Sequence, residues 1–177
     1  MIPVIETGRL TLRPPNEGDL DRIVDLIGDY GVSSMLSRVP HPYTQADGRA
    51  WLARSAAPEI HGERVFAIDN GEGLVGAVSF RDLHKTPVIG YWLGRPYWGR
   101  GYMSEAVRAA LGWLFGATDH DRVIGEAMNE NPASLKVQEK MGFTIVGETA
   151  CESRARGEAR PATRMELKRT DFNNQPA

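Results

Sequence analysis

The chain has 177 residues, of which 41% are hydrophobic, 25% charged and 8% aromatic, the make-up of one globular domain able to bury a substantial core. A net charge of −2 and a pI near 6.1 speak against a nucleic-acid or membrane-surface protein. The single Cys151 excludes an internal disulfide or a multi-cysteine metal site, and His41, His61, His84 and His120 are too scattered for a ligand spacing, so no metal is expected.

Met1 to Glu6 lacks the charged-then-apolar layout of a signal peptide, and no stretch is long enough to span a bilayer. A cytoplasmic enzyme is the expectation. Leu10 and Leu12 alternate with Thr11 and Arg13, which predicts a first strand ended by Pro14-Pro15. Leu20, Ile23, Val24 and Ile27 then follow helical spacing. After a Pro-rich loop from Val39 to Tyr43, Thr44 with Asp47 resembles a capping box, opening a second helix through Trp51 and Leu52. Val65 to Asp69 and Leu74 to Arg81 flank Asn70-Gly71, the signal of an antiparallel hairpin, and Val88 to Leu93 supplies a third strand of that sheet.

The most regular segment comes next. Met103, Ala106, Val107, Ala110, Leu111 and Leu114 mark one buried face of a long helix. Arg122 to Met128 reads as a strand. Asn131 caps a further helix with Pro132 at its first position, and Gly142 ends it. Phe143 to Val146, and Thr163, Met165 and Leu167, supply two late strands. The late cluster Arg154, Arg156, Arg160, Arg164, Lys168 and Arg169 is interleaved with Glu152, Glu158 and Glu166, and reads as a solvated strand-and-loop face. The order predicts an α/β fold, a mixed sheet with helices on both faces. One domain over 1–172 and a disordered tail over 173–177 complete the expectation.

Gly99 and Gly101 lie between a strand and a strongly amphipathic helix. Such a junction presents unpaired backbone amides at the positive end of a helix dipole and can hold a phosphate, with glycines leaving the oxygens room. Ser104 adds a hydroxyl and Arg95 or Arg100 a charge. No Lys-Ser/Thr pair follows the glycines, and Ser104 stands where a dinucleotide fingerprint has its third glycine.

Gly90-Tyr91-Trp92-Leu93, Tyr97-Trp98-Gly99-Arg100-Gly101-Tyr102 and Ser104-Glu105-Ala106 together resemble motif A of the GNAT acetyltransferases. Asn131-Pro132-Ala133-Ser134 with Glu139-Lys140-Met141-Gly142-Phe143 is similar to the second signature of the branch that acetylates ribosomal-protein N-termini. Arg9-Leu10-Thr11-Leu12-Arg13 and Pro42-Tyr43-Thr44 resemble its opening strand and acceptor-side loop. The resemblance extends from about Glu6 to Phe172. It implies a mostly antiparallel sheet of six to seven strands with a V-shaped split between the strands at Val88–Leu93 and Arg122–Met128. Acetyl-CoA is the implied co-substrate, its pantetheine arm pairing with backbone near Trp92 and Leu93. Its pyrophosphate would rest on amides of Gly99, Arg100, Gly101, Tyr102, Met103 and Ser104, with Trp98, Asn131 and Ser134 also in contact with the cofactor. Trp98 replaces the family's usual Gln or Arg, and Met103 its final Gly or Ala.

Acetyl transfer to an amine needs a neutral amine, a stabilised oxyanion and a proton for the departing thiolate. A protein α-amine with pKa about 7.7–8.0 is already about one-tenth neutral near pH 7, whereas lysine at about 10.4 is almost wholly charged. Many family members place a tyrosine before the Glu-Lys-x-Gly-Phe run as proton donor; Gln138 stands there instead, and the resemblance to the ribosomal branch points to Ser134 as donor. Asn131 reads either as a cofactor contact or as an N-cap. The same branch suggests Glu152 as base, one position displaced, with Glu126 as rival. The loop carrying His41 and Tyr43 is expected to border the acceptor pocket and His84 follows a cleft-side strand, each read as a surface or packing residue rather than a catalyst, while Trp92, Trp98 and Trp113 are expected to serve packing and loop anchoring. The expected acceptor is a protein or peptide N-terminus. A small amine (amino acid, polyamine or aminoglycoside), lined by Asp82 and Glu126, is the alternative, and a non-catalytic acyl-CoA-binding module is a third. Analogy leaves a homodimer open.

Overall fold

A computed structural model describes residues 3–57 and 62–174. His61 and residues 175–177 of the expected tail lie outside that range. Asn173 instead closes a short helix, α6 (Arg169–Asn173).

Eight strands form one sheet: β1 (Ile5–Glu6), β2 (Thr11–Arg13), β3 (Arg64–Asp69), β4 (Leu74–Arg81), β5 (Val88–Leu93), β6 (Arg122–Met128), β7 (Thr144–Ser153) and β8 (Glu158–Lys168), in spatial order β1-β2-β3-β4-β5-β6-β8-β7. Every neighbouring pair is antiparallel except β5 and β6. The sheet has one strand more than the pattern predicts, because β1 is two residues long and shows no alternation. The last two strands run much further than Phe143–Val146 and Thr163–Leu167. Their outer halves are polar on both faces and carry no apolar period.

Helices cover both faces. On one, α1 (Leu20–Ile27), α2 (Tyr30–Ser33) and α3 (Gln45–Ser55) pack on a core of Ile23, Ile27, Leu52, Val65, Leu74 and Trp92. On the other, α4 (Tyr102–Ala117) and α5 (Pro132–Met141) cover Phe66, Phe80, Ile89, Leu93, Met141 and Met165. The predicted face of α4 is the observed one: Ala106, Val107, Ala110, Leu111 and Leu114 are fully buried. Trp113 stands edge-on to Phe66 with ring centroids 5.1 Å apart, and Trp92 is buried in the opposite core, so both pack as expected.

The capping box on α3 is present, with the Asp47 amide donating to Thr44 Oγ1 at 3.2 Å. The predicted hairpin turn is a four-residue loop from Asn70 to Gly73, with the Gly71 and Gly73 amides both donating to Asp69 Oδ1. The late arginines are partnered beyond their own strands. Arg156 donates to Glu130 at 2.6 Å and to the Ser34 carbonyl at 3.1 Å, Arg160 also pairs with Glu130, and Arg164 pairs with Glu126 at 3.0 Å.

Candidate active site

The parallel pair β5–β6 is in register only at Val88↔Ile124 and Ile89↔Gly125. Beyond those positions the strands part, while β4 stays paired with β5 to Leu93 and β8 with β6 to Met128. The backbone of β5 then alternates. Gly94 N–H donates to the Val75 carbonyl at 2.8 Å, and a Cβ at Gly76 would overlap the Trp92 carbonyl oxygen. Trp92 therefore spends its main chain on β4. Tyr91 and Leu93 face the gap, a shift by one residue of the pair expected from sequence. The Trp98 indole N–H reaches across to the Leu93 carbonyl at 2.7 Å and anchors the following turn, although the ring is 46% exposed.

That turn leads into α4 through Gly99 at φ 74° and Gly101 at φ 76°, left-handed conformations that disfavour a side chain. Space for a Cβ at Gly99 is open to 4 Å. Helices α3 and α5 carry side-chain caps, from Thr44 and Asn131; α4 starts from Gly101 with no side-chain cap. Its amides at Tyr102, Met103 and Ser104 precede the first helical bond, Glu105 N–H to Gly101 O at 3.2 Å. They project from the positive end of a four-turn helix. Arg9 braces the turn from behind: it donates to the Arg100 carbonyl at 2.8 Å and to Glu105 at 2.7 Å, and lies 4.9 Å from the Tyr102 ring centroid. Burial pushes the Glu105 carboxyl up, but hydrogen bonds from Thr7 and Arg9 outweigh it and hold it below the usual range.

Two cavities open off the parting strands. The first, about 460 Å³, is lined by Trp92, Leu93, Trp98, Gly99, Gly101 and Tyr102, with Met103, Ser104, Asn131 and Ser134 beyond. The Arg100 side chain turns away, with its guanidinium 5.7 Å from the Tyr97 ring centroid. Arg100 is thus outside this lining, as is Arg95, whose guanidinium is bound to Asp29 at 2.6 Å. Met103, read as part of the buried face, sits at the helix mouth and contributes to both core and cavity.

The second cavity, about 320 Å³, is more polar and is lined by Arg38, Arg81, Glu126, Cys151 and Glu152. Both cavities share Met35, Leu36, Tyr91, Asn131 and Ser134. Ser134 and Glu152, eighteen positions apart in sequence, therefore border one chamber. Glu126 is held by Arg164 at 3.0 Å and Arg81 at 3.5 Å. Burial pushes the Cys151 thiol up, so it is a poor nucleophile. Asn131 does cap α5, accepting from the Ser134 amide at 3.3 Å, and it also lines both cavities.

In the acceptor-side loop His41 packs edge-on against Tyr30 at 5.0 Å and Tyr43 joins the core under α1 and α3, the packing roles expected of them; neither lines these two cavities, nor does Asp82, so the loop does not border them as expected. Their place is taken by Met35 to Arg38, carried by the turn after α2 and tied to the β7–β8 end by Arg154 N–H to Ser37 O at 3.1 Å. Sequence reasoning also passed over Tyr91. Its hydroxyl lies 2.9 Å from Ser134 Oγ. The available signal was the alternation Ile89, Tyr91, Leu93, which puts a phenol on the face covered by α5.

Comparisons with known proteins agree with this geometry. Residues 9–144 match the family model described as an acetyltransferase (GNAT) domain. Spermidine N(1)-acetyltransferase of Escherichia coli (strain K12) is 27% identical over 159 residues, covering 87% of this chain and 83% of that protein. The ribosomal-protein-serine acetyltransferase of the same strain is 31% identical over 87 residues, 48% of this chain and 49% of that one. An acetyltransferase structure from Bacillus anthracis aligns with a TM-score of 0.80 at 25% identity, covering 94% of this chain and 98% of its own.

Proposed function

This chain belongs to the GNAT family and is an acetyl-CoA-dependent N-acetyltransferase, and on that premise we propose that its acceptor is the α-amine of a protein or peptide N-terminus. One observation carries the reading: the two cavities meet at Ser134, with Glu152 on the wall of the second and Glu126 neutralised by two arginines. An α-amine needs only modest help to lose its proton at neutral pH, and a lone carboxylate suffices. The partial likeness to a ribosomal-protein-serine acetyltransferase supports the same reading.

Acetyl-CoA supplies the acetyl group as an activated thioester. In the proposed mechanism the amides of Tyr102, Met103 and Ser104 hold its pyrophosphate at the head of α4. Tyr91 and Leu93 offer main-chain groups to the pantetheine arm along the open edge of β5. Glu152 takes the proton from the incoming amine, and Ser134 donates one to the departing sulfur.

A small polyamine acceptor is the second reading, favoured by the likeness to spermidine N(1)-acetyltransferase. The cavity chemistry weighs against it, because Arg81 and Arg164 take up Glu126 and leave Glu152 as a single unpaired carboxylate among the described residues there, and a polycation requires an excess of carboxylates. Thiol release measured with free N-terminal peptides, the same peptides N-blocked, and spermidine separates the two. The free peptides are expected to be turned over, and faster turnover of spermidine would overturn the proposal. Ser134→Ala is expected to lower kcat by about 100-fold with KM for acetyl-CoA unchanged; full kcat in that variant would remove Ser134 as donor.

A further inference from the structure

Tyr91 and Ser134 stand on opposite sides of the parted sheet, one on β5 and the other in the first turn of α5. The phenol oxygen has three polar neighbours: Ser134 Oγ at 2.9 Å, the Ser134 carbonyl at 3.0 Å, and Gln138 Nε2 at 3.3 Å. Their chemistry restricts the proton positions. The carbonyl only accepts and the amide N–H₂ only donates, so Gln138 fills one acceptor site of the phenol, the phenol's single proton goes to the Ser134 carbonyl, and the Ser134 Oγ–H donates into the phenol's remaining site. Burial pushes the Tyr91 hydroxyl up, so it stays protonated through neutrality.

Gln138 itself is kept in place at a cost. It is 1% exposed, and its Oε1 has no partner among the described residues. Buried amides rarely tolerate that without a reason. The amide fits only because residue 125 on β6 is glycine; a Cβ there would overlap Gln138 Oε1. Three elements, β5, β6 and α5, thus converge on one phenol oxygen.

We propose that Tyr91 is a positioning residue for Ser134, fixing its carbonyl and its Oγ together so that the seryl hydroxyl is held at the chamber shared by both cavities. The inference rests on the reading of Ser134 as proton donor. In the proposed step the Ser134 Oγ–H turns from the phenol oxygen to the departing sulfur, and the Tyr91 O–H turns from the carbonyl to Oγ and stabilises the charge left there. Water then reprotonates Ser134, and Glu152 returns to water the proton it took from the amine. Tyr91 keeps its own proton throughout.

Tyr91→Phe removes only the oxygen and keeps the ring. It is expected to lower kcat about tenfold, the loss of one hydrogen bond at the reacting group, with KM for acetyl-CoA unchanged. On a Ser134→Ala background it is expected to add nothing further. Wild-type kcat in Tyr91→Phe, or the same loss on both backgrounds, overturns the proposal. Ser134→Ala at full rate overturns the donor reading and this role together; a deficit in Ser134→Ala alone, with Tyr91→Phe at wild-type rate, overturns only the role of Tyr91. Should Tyr91→Phe fail to fold, Gln138→Met is read instead: a lower kcat at constant KM supports the role, and an unchanged kcat overturns it.

Discussion

Glu126 and Glu152 face the same cavity, and what separates them is company. Glu126 is committed to Arg81 and Arg164, whereas Glu152 makes no ion pair among the described residues. A carboxylate already paired is a poor base for an amine beside it. Glu152→Gln is therefore expected to lower kcat at least tenfold at pH 7, with the deficit narrowing above pH about 8 as α-amines lose their proton unaided. A pH–rate profile for the variant parallel to wild type would refute the assignment. At this scale Ser134 was legible because Asn131-Pro132-Ala133-Ser134 is a local signature. Tyr91 was not, because its partner is forty-three positions away and only the packing of α5 on the sheet brings them together. The same holds for Met35 to Arg38, whose place beside the cavity depends on backbone bonds to the far end of the β7–β8 hairpin.

Among the elements, α4 joins a buried apolar face to a beginning without a side-chain cap. Its core contacts fix its direction, and its first amides have no helical partner, as the proposed pyrophosphate site requires. Arg9 keeps the glycine turn in register with that helix, and exposed ion pairs of this kind contribute little to stability, about 0–1 kcal/mol. Arg9→Ala is thus expected to raise KM for acetyl-CoA about threefold to tenfold, as one charge-assisted hydrogen bond is lost, while kcat and the melting temperature hardly change. Initial rates over a range of acetyl-CoA, with a thermal melt of each protein, check both parts; an unchanged KM would dismiss the brace. Helices were read well from sequence because α1, α4 and α5 each show an apolar period or a cap. The long ends of β7 and β8 were missed because a hairpin projecting beyond the core needs no apolar alternation.

Across the whole molecule, Arg13 joins parts that are distant in the chain. Its guanidinium meets Asp19 at 2.7 Å ahead of α1 and Asp69 at 2.9 Å at the end of β3. The Asp19 side chain is only 5% exposed. Arg13→Ala strands that carboxylate, and the expected loss is about 3 kcal/mol at pH 7. Burial raises the Asp69 carboxyl, but the Gly71 amide and Arg13 outweigh it and leave it below its usual value. Its contribution is then full above the unfolded pKa of about 3.9 and is lost as pH falls through the lower folded value. Urea unfolding at pH 7 and pH 3 tests both statements: the gap between wild type and Arg13→Ala is expected to shrink at pH 3, and an equal gap at both would refute the linkage. The mixed sheet with helices on both faces was legible from element order. The Arg13 network was not, since nothing local to Pro14 or Asn70 announces it.

The two paired positions that join β5 to β6 leave main-chain groups open beyond them. Five strands lie on one side of that seam and three on the other, and each group has its own ladder to hold it. Amides without a partner exchange most readily, so in the free enzyme the amides of Tyr91 and Leu93 are expected to exchange with deuterium far faster than that of Trp92, which is paired with Ala77 of β4. Adding coenzyme A at 100 times its Kd is expected to slow both, and to raise global stability by about 2.7 kcal/mol. On the proposed binding mode, a donor substrate pairing along β5 would act as a clasp between two half-sheets, and slower exchange at Tyr91 and Leu93 on loading is the sign of it.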